Sequence, residues 1–210
     1  MLGDLRLAPA SGGPRRSRGP LVPVIVAAVL VAIVAGVVIF RGHSGSTAAS
    51  GTTTPSASPQ EARRQAAVGL SGLLAQSVTD RAAVINAVAD VRGCGRSLRQ
   101  DAQTFAGAAS SRQRLLSRLG SLPGRSLLPA AMLQDLTGAW RASAQVDTDL
   151  ARWADDNIAR GCRRGSRSDA SLRASYAPQS QADAGKRAFA GLWNPVARQY
   201  GLITYQPGQF

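Results

Sequence analysis

In the pattern of hydrophobic and polar positions, one unbroken apolar run separates a short polar tail from a long amphipathic region. Residues 21–40 (LVPVIVAAVLVAIVAGVVIF) contain no charged or strongly polar side chain. A helix of this length spans ~30 Å, which matches the hydrocarbon core of a bilayer. The run therefore predicts one transmembrane helix, with residues 1–20 on one side and about 170 residues on the other.

In the long region that follows, apolar residues recur at steps of three and four, which is the pattern of amphipathic helices. No stretch of it alternates as a strand does. Because the first two predicted connections are short, consecutive helices should be antiparallel neighbours. We therefore expect an all-α, up-down bundle of the four-helix type over residues 59–210. Its helices are predicted at residues 59–92, 96–119, 127–160 and 181–200.

Four irregularities interrupt this pattern. The apolar phase of the first helix is disturbed near residue 79, so we expect a kink or a break there. Residues 161–180 are polar and predict a long loop, which is unusual in a small bundle and often functional. The pair Asn194-Pro195 predicts a kink or a restart of the last helix, because proline disfavours helix in the residue before it. Residues 202–210 are expected to trail away from the bundle.

The segments on either side of the apolar run have too little apolar content to fold. Residues 1–20 are rich in Gly, Pro, Ser and Arg and are predicted to be a disordered tail. Residues 41–58 are rich in Gly, Ser, Thr and Pro and predict a flexible linker. A tail of this size is too small for a kinase or a DNA-binding domain, so we do not expect a complete one-component receptor.

Basic residues are concentrated before the apolar run, which sets its expected orientation. After the run, Arg41 is the only lysine or arginine before Arg63. Because basic residues stay on the cytoplasmic side, the N-terminus should be cytoplasmic and residues 59–210 extracytoplasmic. A cleaved signal peptide is the alternative, but the run is longer than a usual signal core and no small-residue site lies at its end. The arginines before the run are Arg6, Arg15, Arg16 and Arg18.

The chain is strongly basic, with 25 Lys and Arg against 12 Asp and Glu and a net charge of +13. Residues 59–210 hold 20 basic and 11 acidic residues, a net of +9. Outside the membrane such a charge favours lipid head groups, anionic wall polymers or acidic proteins as partners and argues against nucleic acid. Because 24 of the 25 basic residues are Arg, a GC-rich genome is a competing explanation of the charge.

The two cysteines, Cys94 and Cys162, both fall in the predicted extracytoplasmic domain. An even pair in an oxidising compartment predicts a disulfide. The antiparallel topology, assigned without using the cysteines, places both at the same end of the bundle. Closing a loop of this length should contribute ~4 kcal/mol in the chain-entropy model.

The residues needed for common catalytic and metal sites are missing from the predicted domain. The only histidine, His43, is in the linker, so a Ser-His-Asp or Cys-His site is excluded. Glu61 is the only glutamate, which excludes a di-iron bundle with its Glu ligands. The adjacent Asp155 and Asp156 diverge on a helix and do not face one point. We therefore expect no enzyme activity, no cofactor and no metal.

A few polar or aromatic residues lie at or beside the predicted core faces. Trp140 and Trp153 are interpreted as packing anchors in preference to a ligand-stacking pair. Asp101 and Asp147 are expected to make hydrogen bonds across helices. Arg112 is the one polar residue within the apolar stripe of the second helix.

Several segments of the predicted domain resemble a set of uncharacterised single-pass membrane proteins of actinobacteria. The resemblance covers most of residues 60–210 and implies an actinobacterial envelope protein, without implying an activity or site residues. The segments are Gly93-Cys94, DAQTF at 101–105, LPGR at 122–125, DLTGAW at 135–140 and WNPVARQYGLITY at 193–205.

The leading functional hypothesis is a membrane-anchored, non-catalytic envelope protein whose helical domain binds or scaffolds an envelope partner. The expected binding surface is the arginine-rich loop beside the disulfide, which suits an anionic wall polymer or an acidic protein. Its candidate residues are Arg160, Arg163, Arg164 and Arg167.

The alternative is an accessory or sensory subunit that acts through its transmembrane helix on a partner membrane protein. Small residues on one helix let a second helix approach closely. The small residues of the apolar run that are candidates for such a contact are Ala28, Ala32, Ala35 and Gly36.

Overall fold

The computed structural model describes residues 58–163 and 169–210 of the chain. The predicted tail and transmembrane helix, and the linker up to residue 57, lie outside the described residues and stay predictions. Within the described ranges, no helix has both the length and the apolar content needed to cross a bilayer.

The described part of the chain is all-helical, as predicted, and contains no strand. Four long helices form the bundle, and one short helix, α4, precedes the last of them. Short 3-10 turns occur at Arg125–Leu127 and Pro207–Gln209. The α-helices are α1 (Pro59–Gly93), α2 (Leu98–Gly120), α3 (Ala130–Arg160), α4 (Ala170–Ala174) and α5 (Tyr176–Gln199).

Helix α1 is continuous over 35 residues, so of the predicted kink or break near residue 79 the break is wrong, and the kink stays a prediction. Its start is capped by Ser58, whose hydroxyl accepts a hydrogen bond from the Glu61 amide at 3.2 Å. Within the helix, the Thr79 hydroxyl donates to the Ala75 carbonyl at 3.3 Å. This local bond satisfies the hydroxyl inside the helix, so Thr79 does not start a new one.

The predicted loop at 161–180 is shorter than expected, because helix resumes at Ala170 and α5 begins at Tyr176. Leu172 of α4 is 4% exposed and packs into the core, which holds this otherwise polar segment on the bundle. Of the kink or restart expected at Pro195, the restart is also wrong, since α5 continues to Gln199, and the kink stays a prediction. Trp193 and Val196, on either side of Asn194-Pro195, are both buried, and their packing against the core holds the helix in place on both sides of the proline.

Buried apolar side chains form two separate clusters, one toward each end of the bundle. We call the first the aromatic half, because Trp140, Phe189, Trp193 and Phe210 fill it. The second is the disulfide half, which contains Val91, Phe105, Val146, Leu150, Trp153 and Leu172 and lies beside the disulfide. Both clusters draw on residues from the end of one helix and the start of the next, as antiparallel neighbours require.

The C-terminal segment packs into the aromatic half, so the expectation that residues 202–210 trail away is wrong. Phe210 is fully buried, with its ring centroid 5.4 Å from that of Phe189 and 5.7 Å from that of Tyr205. Arg81 Nε donates to the Gly208 carbonyl at 2.5 Å, which ties the segment to α1. The segment is therefore part of the fold.

The predicted disulfide between Cys94 and Cys162 is present, with 5.6 Å between the two Cα atoms. It joins the end of α1 to the end of α3, so these two helices run in the same direction. Cys94 itself has a left-handed backbone (φ 52°) that terminates α1. The bond thus closes one end of the bundle covalently, whereas side-chain packing fills the other.

Candidate functional site

A cavity of about 470 Å³ lies in the disulfide half of the bundle. Its size is in the range of small-molecule binding sites. Side chains of all five helices line it, and most of the lining surface is apolar. The apolar walls are made by Val84, Ile85, Val88, Val146, Leu150 and Leu172.

The polar end of the cavity lies at the level where the two apolar clusters stop. On α3, for example, Ser143 follows Trp140 of the aromatic half and precedes Val146 of the disulfide half. On α2, Arg112 falls between Phe105 and Leu115 in the same way. This polar end comprises Arg81, Arg112, Ser143, Asp147 and Lys186.

Arg112 is held in place by hydrogen bonds to α1. Its Nη1 donates to the Ser77 carbonyl at 3.2 Å and also to the Ser77 hydroxyl. The indole N–H of Trp140 donates to the same hydroxyl at 3.1 Å, so Ser77 links α1, α2 and α3. Burial lowers the pKa of Arg112, and the charge of Asp147 opposes that shift.

Arg112 and Asp147 form a buried ion pair across α2 and α3, at 3.9 Å between Nε and Oδ2. Both side chains are nearly inaccessible, at 3% and 5% exposure. Burial raises the pKa of Asp147 to about 6, although Arg112 and Lys186 favour its ionised form. The distance is long for a hydrogen bond, and neither atom has another partner among the described residues. The pair therefore retains unused hydrogen-bonding capacity.

Lys186 is the least expected residue of the site, because it is 2% exposed and makes no hydrogen bond or ion pair with any described residue. Burial lowers the pKa of Lys186 to about 8, and the charges of Arg81 and Arg112 lower it further. Asp183 and Asp147 oppose the shift. Most buried ammonium groups are paired, so this one is an exception that requires a reason.

Ser143 adds a second buried group without a partner. Its side chain is 6% exposed, lines the cavity, and makes no hydrogen bond through Oγ within the described part of the chain. Together with Lys186 and the loosely paired Arg112 and Asp147, it gives the cavity one end with unused hydrogen-bonding capacity. The arrangement can hold an apolar body against the walls and offer charge and hydrogen bonds at that end.

The predicted arginine loop is only partly described. Arg160 is already paired, because its Nη2 lies 2.7 Å from Asp169 Oδ1 and 3.4 Å from Asp156 Oδ2. Arg163 is exposed, and Arg164 and Arg167 lie outside the described residues. The anion-binding loop stays a prediction, with Arg160 less available for it than expected.

The tryptophans predicted to be packing anchors are confirmed as core residues. Trp140 is fully buried in the aromatic half and Trp153 is 2% exposed in the disulfide half. Neither lines the cavity. The indole N–H of Trp153 donates to Asp169 Oδ2 at 3.0 Å, which positions the start of α4.

The two aspartates expected to bond across helices differ in what they contact. Asp147 forms an ion pair across helices with Arg112 at 3.9 Å, and its Oδ2 makes no hydrogen bond within the described residues. Asp101 of α2 lies beside another carboxylate, Asp90 of α1. Burial raises the pKa of Asp101 to about 6, and a hydrogen bond and the charge of Asp90 add to the shift.

The sequence interpretation missed the cavity and did not single out Lys186, although a signal for it exists. Lys186 is the only lysine in a chain that otherwise uses arginine. It falls on the buried face of α5, with Ala182 four residues before it and Phe189 and Trp193 three and seven residues after it. A lysine is more easily buried than an arginine because its pKa shifts readily. A unique lysine on an apolar stripe is therefore a marker of this site.

Comparison with known proteins found no match: no family model, no curated protein and no solved structure is significantly similar to this chain.

Proposed function

We propose that the chain is a membrane-anchored, non-catalytic protein of the cell envelope whose helical domain binds a small, largely apolar molecule in the cavity. The apolar run at 21–40 and the arginines before it support the anchor and the orientation. The disulfide suits an oxidising compartment outside the cytoplasm. The resemblance to actinobacterial membrane proteins suits the same location.

The observation that carries the binding proposal is the cavity itself. It is a cleft open to solvent on one side, since Ile85 and Tyr176 in its lining are 52% and 51% exposed. A space of about 470 Å³ with apolar walls and a cluster of unpartnered polar groups is typical of a ligand site. The absence of histidine from residues 59–210 supports binding without catalysis.

The proposal is tested with the full chain in lipid nanodiscs and three soluble eight-carbon probes: octanoate, octanamide and octylammonium. Isothermal titration calorimetry, with empty nanodiscs as the blank, should detect binding of at least one probe at one site per chain. Val88→Trp places an indole ring in the cavity and should abolish that binding.

Val68→Trp is the matched control, because Val68 is 44% exposed on the same helix but away from the cavity. It should bind the probe as the wild type does, and circular dichroism should show both variants folded. Absence of binding for all three probes, or equal binding by Val88→Trp and the wild type, would contradict the proposal.

A further inference from the structure

We propose that the ligand of this cavity is an amphipathic monoanion, with its apolar body against the valine and leucine walls and its anionic head group on Lys186. This inference rests on the proposed function, since it names the chemical class of the molecule that the cavity binds. Three independent features of the site lead to it: its charge balance, its unused donors and the separation of its polar and apolar surfaces.

The charge balance at the polar end leaves Lys186 uncompensated. Arg112 and Asp147 form a buried ion pair at 3.9 Å, whereas Lys186 has no carboxylate oxygen within ion-pair distance among the described residues. Three further charged groups, Arg81, Asp80 and Asp183, also act on this cluster. An uncompensated buried charge is costly, and an anionic head group placed on Lys186 would compensate it.

The remaining carboxylates nearby do not provide this charge. Asp80 and Asp183 contribute to the electrostatics of the cluster but do not line the cavity. Asp80 accepts a hydrogen bond from Gln76 at 2.9 Å, and Asp183 accepts one from Gln179 at 2.8 Å. Both residues are half-buried, Asp80 Oδ2 has no hydrogen-bond partner, and neither carboxylate forms an ion pair with Lys186 within the described part of the chain.

The unused hydrogen-bonding groups also match an anionic head. A lysine ammonium offers three donors and no acceptor, and a serine hydroxyl can donate as well. Lys186 and Ser143 are both buried, line the cavity and lack partners among the described residues. A carboxylate accepts several such bonds, and charge-assisted bonds of this kind are the strong ones.

The rest of the lining specifies the body of the ligand. The six valine, isoleucine and leucine side chains named above make walls that offer no hydrogen bonds. A hydrocarbon chain or ring is therefore favoured over a sugar or a peptide, whose polar groups would lose their hydration there. Other polar residues also line the cavity, but Ser175 and Gln179 already donate hydrogen bonds to the Leu172 carbonyl and to Asp183, and Arg92 and Tyr176 are exposed. The buried polar groups with unused hydrogen-bonding capacity lie at one end, so a molecule with a single polar head fits both surfaces at once.

The experiment compares head groups and tails on the full chain in lipid nanodiscs by titration calorimetry. Octanoate should bind about tenfold or more tightly than octanamide, because only the carboxylate forms charge-assisted bonds. Octylammonium should bind more weakly than either. Butanoate, which keeps the charge but loses most of the apolar tail, should also bind more weakly than octanoate.

Lys186→Met keeps the length of the side chain and removes its charge, and it should weaken octanoate binding about tenfold or more and octanamide binding by a smaller factor, because a neutral carbonyl loses a weaker hydrogen bond than a carboxylate does. Arg187→Met is the matched control, because the neighbouring Arg187 is exposed, and it should bind octanoate as the wild type does. Equal affinity of the wild type for octanoate and octanamide would overturn the inference but leave the proposed function standing. Failure of every probe to bind would overturn both.

Discussion

The aromatic half and the disulfide half of this bundle are built from the same helices but are filled in different ways. In the aromatic half, four aromatic side chains are fully buried and belong to one cluster: Trp140, Phe189, Trp193 and Phe210. The C-terminal segment closes this half from the side of α1 and α5. In the disulfide half, the described residues include two fully buried aromatic side chains, Phe105 and Trp153. A cavity of about 470 Å³ remains beside them.

The two halves differ in what stabilises them: side-chain packing stabilises the aromatic half, and the disulfide stabilises the half that contains the cavity. Where aromatic side chains fill the bundle, the helices need no crosslink. Where a cavity is kept, apolar contacts are lost, and the disulfide restores stability mainly by restricting the unfolded chain. The bond between the ends of α1 and α3 thus allows the adjacent space to stay open. The unpartnered groups around Lys186 lie at the boundary between the halves.

The largest expected effect is the loss of the disulfide. Cys94→Ser combined with Cys162→Ser should lower the free energy of unfolding by about 4 kcal/mol, because the loop closed by the bond spans 68 residues. Guanidinium denaturation of the full chain, followed by tryptophan fluorescence, measures the change. The wild type treated with a reductant should lose a similar amount. A loss below about 1 kcal/mol would mean that the disulfide half does not depend on its crosslink.

The next effect tests the aromatic half. Phe210→Ala should lower the free energy of unfolding by about 3 kcal/mol, since it removes a fully buried ring. The same denaturation measurement applies, and octanoate affinity should stay within about twofold because Phe210 does not line the cavity. Ile203→Ala is the control: Ile203 is 62% exposed in the same segment, and its loss should cost less than about 0.5 kcal/mol. Equal costs for the two variants would show that the segment does not pack as described.

Much of the fold follows from patterns along the chain. The four long helices and the shared end of Cys94 and Cys162 were predicted from apolar spacing and short connections. The packing of residues 202–210 was not, because it depends on the Phe210 ring reaching that of Phe189 on α5. The helix restart expected at Pro195 is absent, because tertiary packing of α5 prevails there over the preference of a single residue.

Less of the candidate site was predictable. Arg112 was identified as a polar residue on an apolar stripe, but its partners Ser77 and Asp147 lie on other helices. The cavity arises from how side chains of five helices fail to fill the space between them, and no local pattern encodes that. Lys186 also carries a signal in the sequence, as the single lysine of the chain on a buried helix face.

A third test separates stability from binding. Lys186→Met should raise the free energy of unfolding by about 1 kcal/mol at pH 7, because an unpaired buried cation is replaced by an apolar side chain of similar shape. The pKa of Lys186 is lowered to about 8 in the fold from an ordinary value of 10.5. The unfolded chain therefore binds more protons between these values, and the stability of the wild type should rise as the pH increases from 8 to 10.5.

The advantage of Lys186→Met over the wild type should accordingly be greatest below pH 8 and shrink above it. Thermal unfolding at pH 7 and pH 10, with Arg187→Met as the control, measures this change. A variant less stable than the wild type at pH 7 would show that Lys186 is satisfied within the fold.

The smallest effect concerns Asp101, which lies beside Asp90 in the disulfide half. The pKa of Asp101 is raised to about 6, above its ordinary value of 3.8, so the fold favours the protonated carboxyl. The stability that this protonated group contributes is fully present below pH 3.8 and is lost as the pH rises through 6. Asp101→Asn lacks this dependence. Its stability relative to the wild type should be higher at pH 7 than at pH 4, by less than about 1 kcal/mol.

Urea denaturation at the two pH values measures the difference, with Asp155→Asn on the exposed face of α3 as the control. The control should change little between the two conditions. An Asp101→Asn variant that gains nothing between pH 4 and pH 7 would show that the Asp90–Asp101 contact carries no electrostatic strain.

The most direct test of the account is to locate a bound probe on the chain. An alkanoate of eight carbons with a diazirine near the end of its tail is bound to the full chain in nanodiscs, irradiated, and mapped by peptide mass spectrometry. The account predicts adducts on the peptides that contain Val84, Val88, Val146 and Leu150, all in the walls of the cavity, and their loss in the presence of excess octanoate. Adducts confined to the aromatic half, around Leu70 or Trp193, or spread equally over both halves, would contradict it.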